Sequence, residues 1–130
     1  MMKAQIHLTL IGEDFNTKSV TEALAITPQY VREKDELLNN GRRFGHDEWG
    51  ISTEIEETDD FHCFFRSFMS CIDNKLHLMR EVADINNAQW NLLFELDVKD
   101  GCFPCLFFDS DLINEISGLN ASMGFDVLIL

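Results

Sequence analysis

Ile6, Leu8 and Leu10 alternate with His7 and Thr9, a period of two that fits a half-buried strand, and Gly12-Glu13-Asp14 ends it. Asn16 or Thr17 can cap a helix over roughly 17–25, with Val20, Ala23 and Leu24 sharing a face and Pro28 disfavouring helical geometry at Thr27. Tyr30 to Arg32 reads as a short strand. Glu33 to Glu36 and Asn39-Asn40-Gly41 then make a polar, turn-rich connection. Trp49, Ile51 and Ile55 suit a strand that begins before Trp49 and is bounded by Thr58-Asp59-Asp60, whose aspartates can cap the next helix.

That helix has the strongest pattern in the chain. Phe61, Phe64, Phe65, Phe68, Met69 and Ile72 recur at helical spacing and form one apolar stripe that must pack on a sheet. A second helix runs from Leu76 to Ile85 through Met79, Val82 and Ala83, so the two helices form a hairpin or a kinked pair. Trp90, Leu92, Phe94, Leu96 and Val98 alternate with mostly polar residues as a half-buried strand, and Lys99-Asp100-Gly101 is its turn. Phe103 to Phe108 reads as a hairpin return. Asp109 or Ser110 caps a short helix with Leu112, Ile113 and Ile116 inward and Gly118 as its left-handed stop. Ala121, Met123, Phe125, Val127 and Ile129 form the last strand. This order predicts an α+β fold: one domain over residues 1–130, with a mostly antiparallel sheet and helices packed on one face.

At 130 residues, 45% apolar and with eleven phenylalanines, the chain can bury one sizeable core. The first residues contain no uninterrupted apolar run, and no window approaches a membrane span, so a cytoplasmic protein is expected. Four cysteines are too sparse for a disulfide scaffold, and reduced, buried thiols are expected.

Cys102-Phe103-Pro104-Cys105 has the spacing of a redox dithiol or half a zinc site. A redox pair needs its first cysteine at a helix N-terminus, whereas Cys105 leads into an apparent strand, and Cys63 and Cys71 are not a short-spaced second pair for zinc. No metal and no cofactor are expected. His46-Asp47-Glu48 offers acid–base groups, but adjacent strand residues point to opposite faces, so His46 and Glu48 converge without Asp47. The common catalytic motifs are absent from the sequence, which points away from an enzyme.

Charge carries more information. Twenty-three acidic against ten basic residues give a formal charge of −13, which repels nucleic acid and anionic membranes and favours a basic partner. Asp47, Glu48, Glu54, Glu56, Glu57, Asp59 and Asp60 lie between Phe44 and Phe65 with no Lys or Arg among them. As a docking face, these acids would steer a cationic partner, and Trp49 or Tyr30 would supply an aromatic anchor, Trp49 fitting the core equally well. Their structural alternative is a solvated edge with helix-capping acids. Arg32, Lys34, Arg42 and Arg43, just upstream, make the region dipolar and offer a small anion site.

Gly12-Glu13-Asp14-Phe15, Val20-Thr21, Leu24, Ile26-Thr27-Pro28, Trp49-Gly50-Ile51-Ser52-Thr53, Leu119-Asn120-Ala121 and Phe125-Asp126-Val127 together resemble the bacterial family called domain of unknown function 4279. The likeness covers nearly the whole chain. Asn120 stands where a glycine is commoner, and the segment from Lys34 to Gly41 is unusually charged. The resemblance implies a small single-domain protein, in some members reminiscent of immunity proteins paired with bacterial toxins. It names no catalytic residue. The expected function is therefore an immunity protein, a monomer or weak homodimer, that binds a basic, nuclease-type toxin domain and occludes its active site or substrate groove. The alternatives are a small-ligand or regulatory domain near Arg42 and Arg43, and an enzyme using His46 or Cys102.

Overall fold

Strand β1 (Met2–Gly12) carries apolar side chains at Met2, Ala4, Ile6, Leu8 and Leu10, and all five are buried on one face of the sheet. The computed structural model describes residues 1–102 and 104–130. Among them are a 3-10 turn, four α-helices and six strands: β2 (Tyr30–Arg32), β3 (Asp47–Ser52), β4 (Glu56–Thr58), β5 (Gln89–Val98) and β6 (Ser122–Ile129) besides β1. The sheet order is β2-β3-β1-β5-β6, with β4 pairing the first residues of β1. All pairings are antiparallel except β5 with β6. This is the α+β domain that the residue pattern predicts.

β3 and β4 lie along the same side of β1, because Lys3 and Ala4 pair with β5 on the other. Between them, Thr53 keeps the chain alongside: its N–H donates to Ile6 O at 2.9 Å, and its Oγ1 accepts from Ile6 N at 3.0 Å. Leaving Ile55 exposed is the consequence, so the single predicted strand from before Trp49 to Thr58 is two strands with an irregular link.

The helices cover one face. In α2 (Phe61–Ser70), Phe61, Phe64, Phe65, Phe68 and Met69 are buried, and the Asp60 carboxylate caps its N-terminus by accepting from Cys63 N. Phe65 meets Phe94 of β5 edge-on with centroids 4.9 Å apart, and Phe61 meets it at 5.2 Å. A 3-10 turn at Asp73–Lys75 leads to α3 (Leu76–Ile85), the helical pair that the spacing predicts. Lys75 Nζ donates to Leu24 O, at the C-terminal end of α1 (Thr17–Leu24). In α1, Asn16 is the cap, Val20 and Leu24 point inward and Ala23 is exposed, a departure from the shared face expected for it.

The last third departs most from expectation. A hairpin return after β5 is not formed: residues 104–108 carry no strand, and Phe103 lies outside the described residues. The free edge of β5 is taken instead by β6, which runs parallel to it and so needs a crossover. Helix α4 (Ser110–Leu119), capped by Asp109, supplies that crossover. Phe108 packs against Phe61, Phe65, Phe94 and Phe125. Ile113, expected inward, is 54% exposed, while Leu112, Ile116 and Leu119 are buried. Gly118 belongs to the helix, and the left-handed stop is Asn120 at φ 53°. Asn is the non-glycine residue that best tolerates this region, which accounts for a helix end without the commoner glycine.

Phe65→Ala is expected to cost about 3–5 kcal/mol, because the cavity opens between α2 and β5. Ile113→Ala should change stability by less than about 0.5 kcal/mol. Urea unfolding of the two variants checks the contrast.

Candidate functional site

The segment from Gly41 to Thr53 is where arginines, a His-Asp-Glu run and a tryptophan come together in sequence, and the structure separates them. Leu37 and Arg43 form an isolated antiparallel bridge, with Gly41 turning the chain at φ 81°. Arg42 N donates to Asn40 Oδ1, and Arg43 Nη1 donates to Asp35 O at 2.9 Å. Both arginines are exposed on this turn.

His46 and Glu48 converge, as alternation requires: His46 Nε2 lies 3.0 Å from Glu48 Oε1. Asp47 points the other way and is buried. Its Oδ2 accepts from Phe15 N at 2.7 Å and its Oδ1 from Lys34 N at 2.6 Å, so one carboxylate ties β3 to the chain before α1 and to the chain after β2. Trp49 is fully buried, edge-on to Trp90 at 5.9 Å, with Nε1 donating to Thr21 Oγ1 at 2.9 Å. These positions correct the expectation that Asp47 and Trp49 meet a partner: neither presents a surface to one. Nothing in the sequence pattern flags the carboxylate as an internal acceptor, because an acid at a strand start reads as solvated.

The remaining acids stand outside. Glu54, Glu56, Glu57, Asp59 and Asp60 are all exposed along β4 and the entry to α2. Among the described residues, none of them makes an ion pair within 4.0 Å; Glu57 sits across from Lys3 in the ladder, and Asp60 spends one oxygen on its helix cap. Beside them, between β3 and α2, runs an open groove of about 420 Å³. Its apolar lining includes Ile26, Ile51, Phe64, Phe68 and Ile72, and Glu56 belongs to it. Sequence reasoning missed this groove because its apolar residues come from three separate elements.

The uncovered face of the sheet holds a second, shallow depression of about 760 Å³ lined by His7, Tyr30, Arg32, Glu48 and Glu95 among others. His7 Nδ1 lies 2.7 Å from Ser52 Oγ, and its Nε2 is 3.3 Å from Glu95 Oε2. Tyr30 hydrogen-bonds Thr9, and burial pushes its hydroxyl pKa up, assisted by the charge of Glu48 and opposed by the Thr9 hydrogen bond and Arg32. Of the arginines expected to form an anion site, Arg32 lines this depression and Arg42 and Arg43 do not.

Elsewhere, His62 Nε2 is 2.7 Å from Asp109 Oδ2, and Arg66 bridges Asp109 and Glu115 at 3.2 Å each, tying α2 to the start of α4. The Asp109 carboxyl is held below the usual aspartate range, chiefly by the hydrogen bond from Leu112 N and then by that from His62. All four cysteines are free and exposed, contrary to the buried thiols expected. The described residues contain no cluster of three or more His, Cys, Asp or Glu suited to hold a metal, and no helix among them is long and apolar enough to cross a membrane.

Against known proteins, a family model described as "Domain of unknown function (DUF4279)" matches residues 2–130. The chain belongs to that family. No curated protein and no solved structure matches it.

Asp47→Ala leaves two backbone N–H groups without their acceptor and should cost about 2–3 kcal/mol in urea unfolding. For Asp109, a depressed folded-state pKa means stabilisation that is present above the unfolded value and lost as pH falls through the folded one. Thermal melts of Asp109→Asn and the parent should therefore differ at neutral pH and converge in strong acid.

Proposed function

We propose that this member of the DUF4279 family is an immunity protein: it binds a cognate, cationic toxin domain of nuclease type and occludes the toxin's active site or substrate groove. The observation that carries this reading is the row of exposed carboxylates at Glu54, Glu56, Glu57, Asp59 and Asp60, without ion-pair partners among the described residues and adjoining an apolar groove. A nuclease cleft is cationic because it holds phosphates, and carboxylates can occupy the phosphate positions through charge-assisted hydrogen bonds. The aromatic anchoring first assigned to Trp49 passes to the groove, where Phe64 and Phe68 can receive an apolar side chain of the partner. Glu48, paired with His46, is a lesser contributor. Inhibition by occlusion requires no turnover, metal or cofactor of this chain, and it places the protein in the cytoplasm.

A second reading, a small-ligand or regulatory domain, is supported by the open-face depression with Arg32 and Tyr30. The two make different demands. On this reading the adjacent upstream reading frame encodes the toxin domain; co-expression with that domain should rescue growth, and the purified pair should bind more weakly as salt is raised. Reversing Glu54, Glu56 and Glu57 to Lys should weaken the complex by on the order of 100-fold. Unchanged binding by that variant rejects the acidic face. Thermal stabilisation by a small anion that is lost in Arg32→Ala would favour the second reading instead.

A further inference from the structure

Among the described residues, β6 is the last strand on its side of the sheet and is paired only with β5. Leu130 N donates to Val98 O at 2.8 Å, and Leu130 O accepts from Asp100 N at 3.1 Å, so the backbone of Leu130 faces β5. Successive strand residues turn their backbone groups to alternate sides. The N–H and C=O groups of Met123, Phe125, Val127 and Ile129 therefore face the free edge. Natural edges are usually blunted by lysine, proline, a bulge or short length. β6 has none of these: it is eight residues long, in unbroken register with β5, with Asp126 as its one charged residue.

The side chains match the backbone. Met123, Phe125, Val127, Leu128, Ile129 and Leu130 are 41–67% exposed. At on the order of 200 Å² for each large apolar side chain, the six present roughly 600 Å² of apolar surface, divided between the two faces of the sheet along its free edge. Adding the strand backbone brings the area near the roughly 800 Å² per partner of a standard interface.

We propose that β6 is a self-association strand. A second copy of this chain pairs with it antiparallel about a two-fold axis perpendicular to the sheet, joining the two sheets into one. A second copy fits because it offers the same apolar, nearly uncharged strand, whereas a basic partner would set cations opposite Val127, Leu128 and Ile129. The register follows from the one charge. An axis through Asp126 would place two carboxylates opposite each other, which is unfavourable. An axis through Val127 sets Asp126 opposite Leu128 and Phe125 opposite Ile129, and it covers the most exposed residues, Leu128 to Leu130. Because β4 lies on the far side of β1, the acids at 54–60 remain free in this dimer.

Sedimentation equilibrium of the whole chain is expected to give twice the 15.0 kDa of the monomer. Added salt should strengthen the dimer, since it screens two chains of like charge. Val127→Lys and Val127→Pro should each return the mass to that of the monomer. The lysine opposes its own copy, and the proline removes an N–H that points away from β5. With Cys63, Cys71, Cys102 and Cys105 changed to serine, Val127→Cys should form a disulfide dimer under mild oxidation, since Cα atoms in a hydrogen-bonded antiparallel pair are about 5.5 Å apart. A monomeric parent at about 100 μM, a dimer that survives both Val127 substitutions, or a Val127→Cys chain that does not cross-link would overturn the proposal.

Discussion

The nine-residue ladder between β1 and β5 is the constraint from which the rest of the fold follows. Its register sets Ala4 opposite Leu96, Ile6 opposite Phe94, Leu8 opposite Leu92 and Leu10 opposite Trp90, so the buried apolar positions of both strands share one face, with Ile11 and Leu93 left on the other. A slip of one residue would send one strand's set to the solvent side. With the register fixed, the aromatic stripe of α2 has one surface to cover, and Trp49 and Trp90 close the far end of the same layer. The other face keeps His7, Thr9, Asn91 and Glu95 beside Ile11 and Leu93, and these line the open depression of mixed polarity.

This arrangement also sorts the acids by role. Asp47 is spent inside, on two backbone donors that belong to otherwise irregular connections. Asp60 and Asp109 begin helices. The carboxylates of Glu54, Glu56, Glu57 and Asp59 form no hydrogen bond or ion pair among the described residues, and their concentration beside an apolar groove makes them the surface with the most to gain from a cationic partner. The groove exists because Thr53 bonds back to Ile6 and breaks the strand, leaving room between β3 and α2.

Elements with long, regular periodicity were legible in the sequence: α2, α3 and β5 appear where the spacing of Phe, Leu and Trp residues puts them. The failures share a cause. Choosing a hairpin after Gly101 over a crossover depends on which strand claims the edge of β5, a tertiary competition that local pattern does not encode. Placing the helix stop at Gly118 followed glycine's preference, but the helical face including Leu119 carried the chain two residues further, to Asn120. Trp49 takes the core alternative and Asp47 is buried too, because adjacent residues that alternate in side can both be buried when a strand is covered on one face and packed by loops on the other. Of the candidate site, the charge run was visible; the groove, assembled from α1's exit, β3 and α2, was not.

The central claim is that the carboxylates at 54–60 are free for recognition and do not hold the fold. Urea unfolding of the Glu54, Glu56 and Glu57 triple reversal to lysine tests it directly, without any partner. Exposed and unpaired, these residues should leave the unfolding free energy within about 1 kcal/mol of the parent, or raise it, since the three reversals bring the formal charge from −13 to about −7. A loss above about 2 kcal/mol would contradict the claim and make the acids structural.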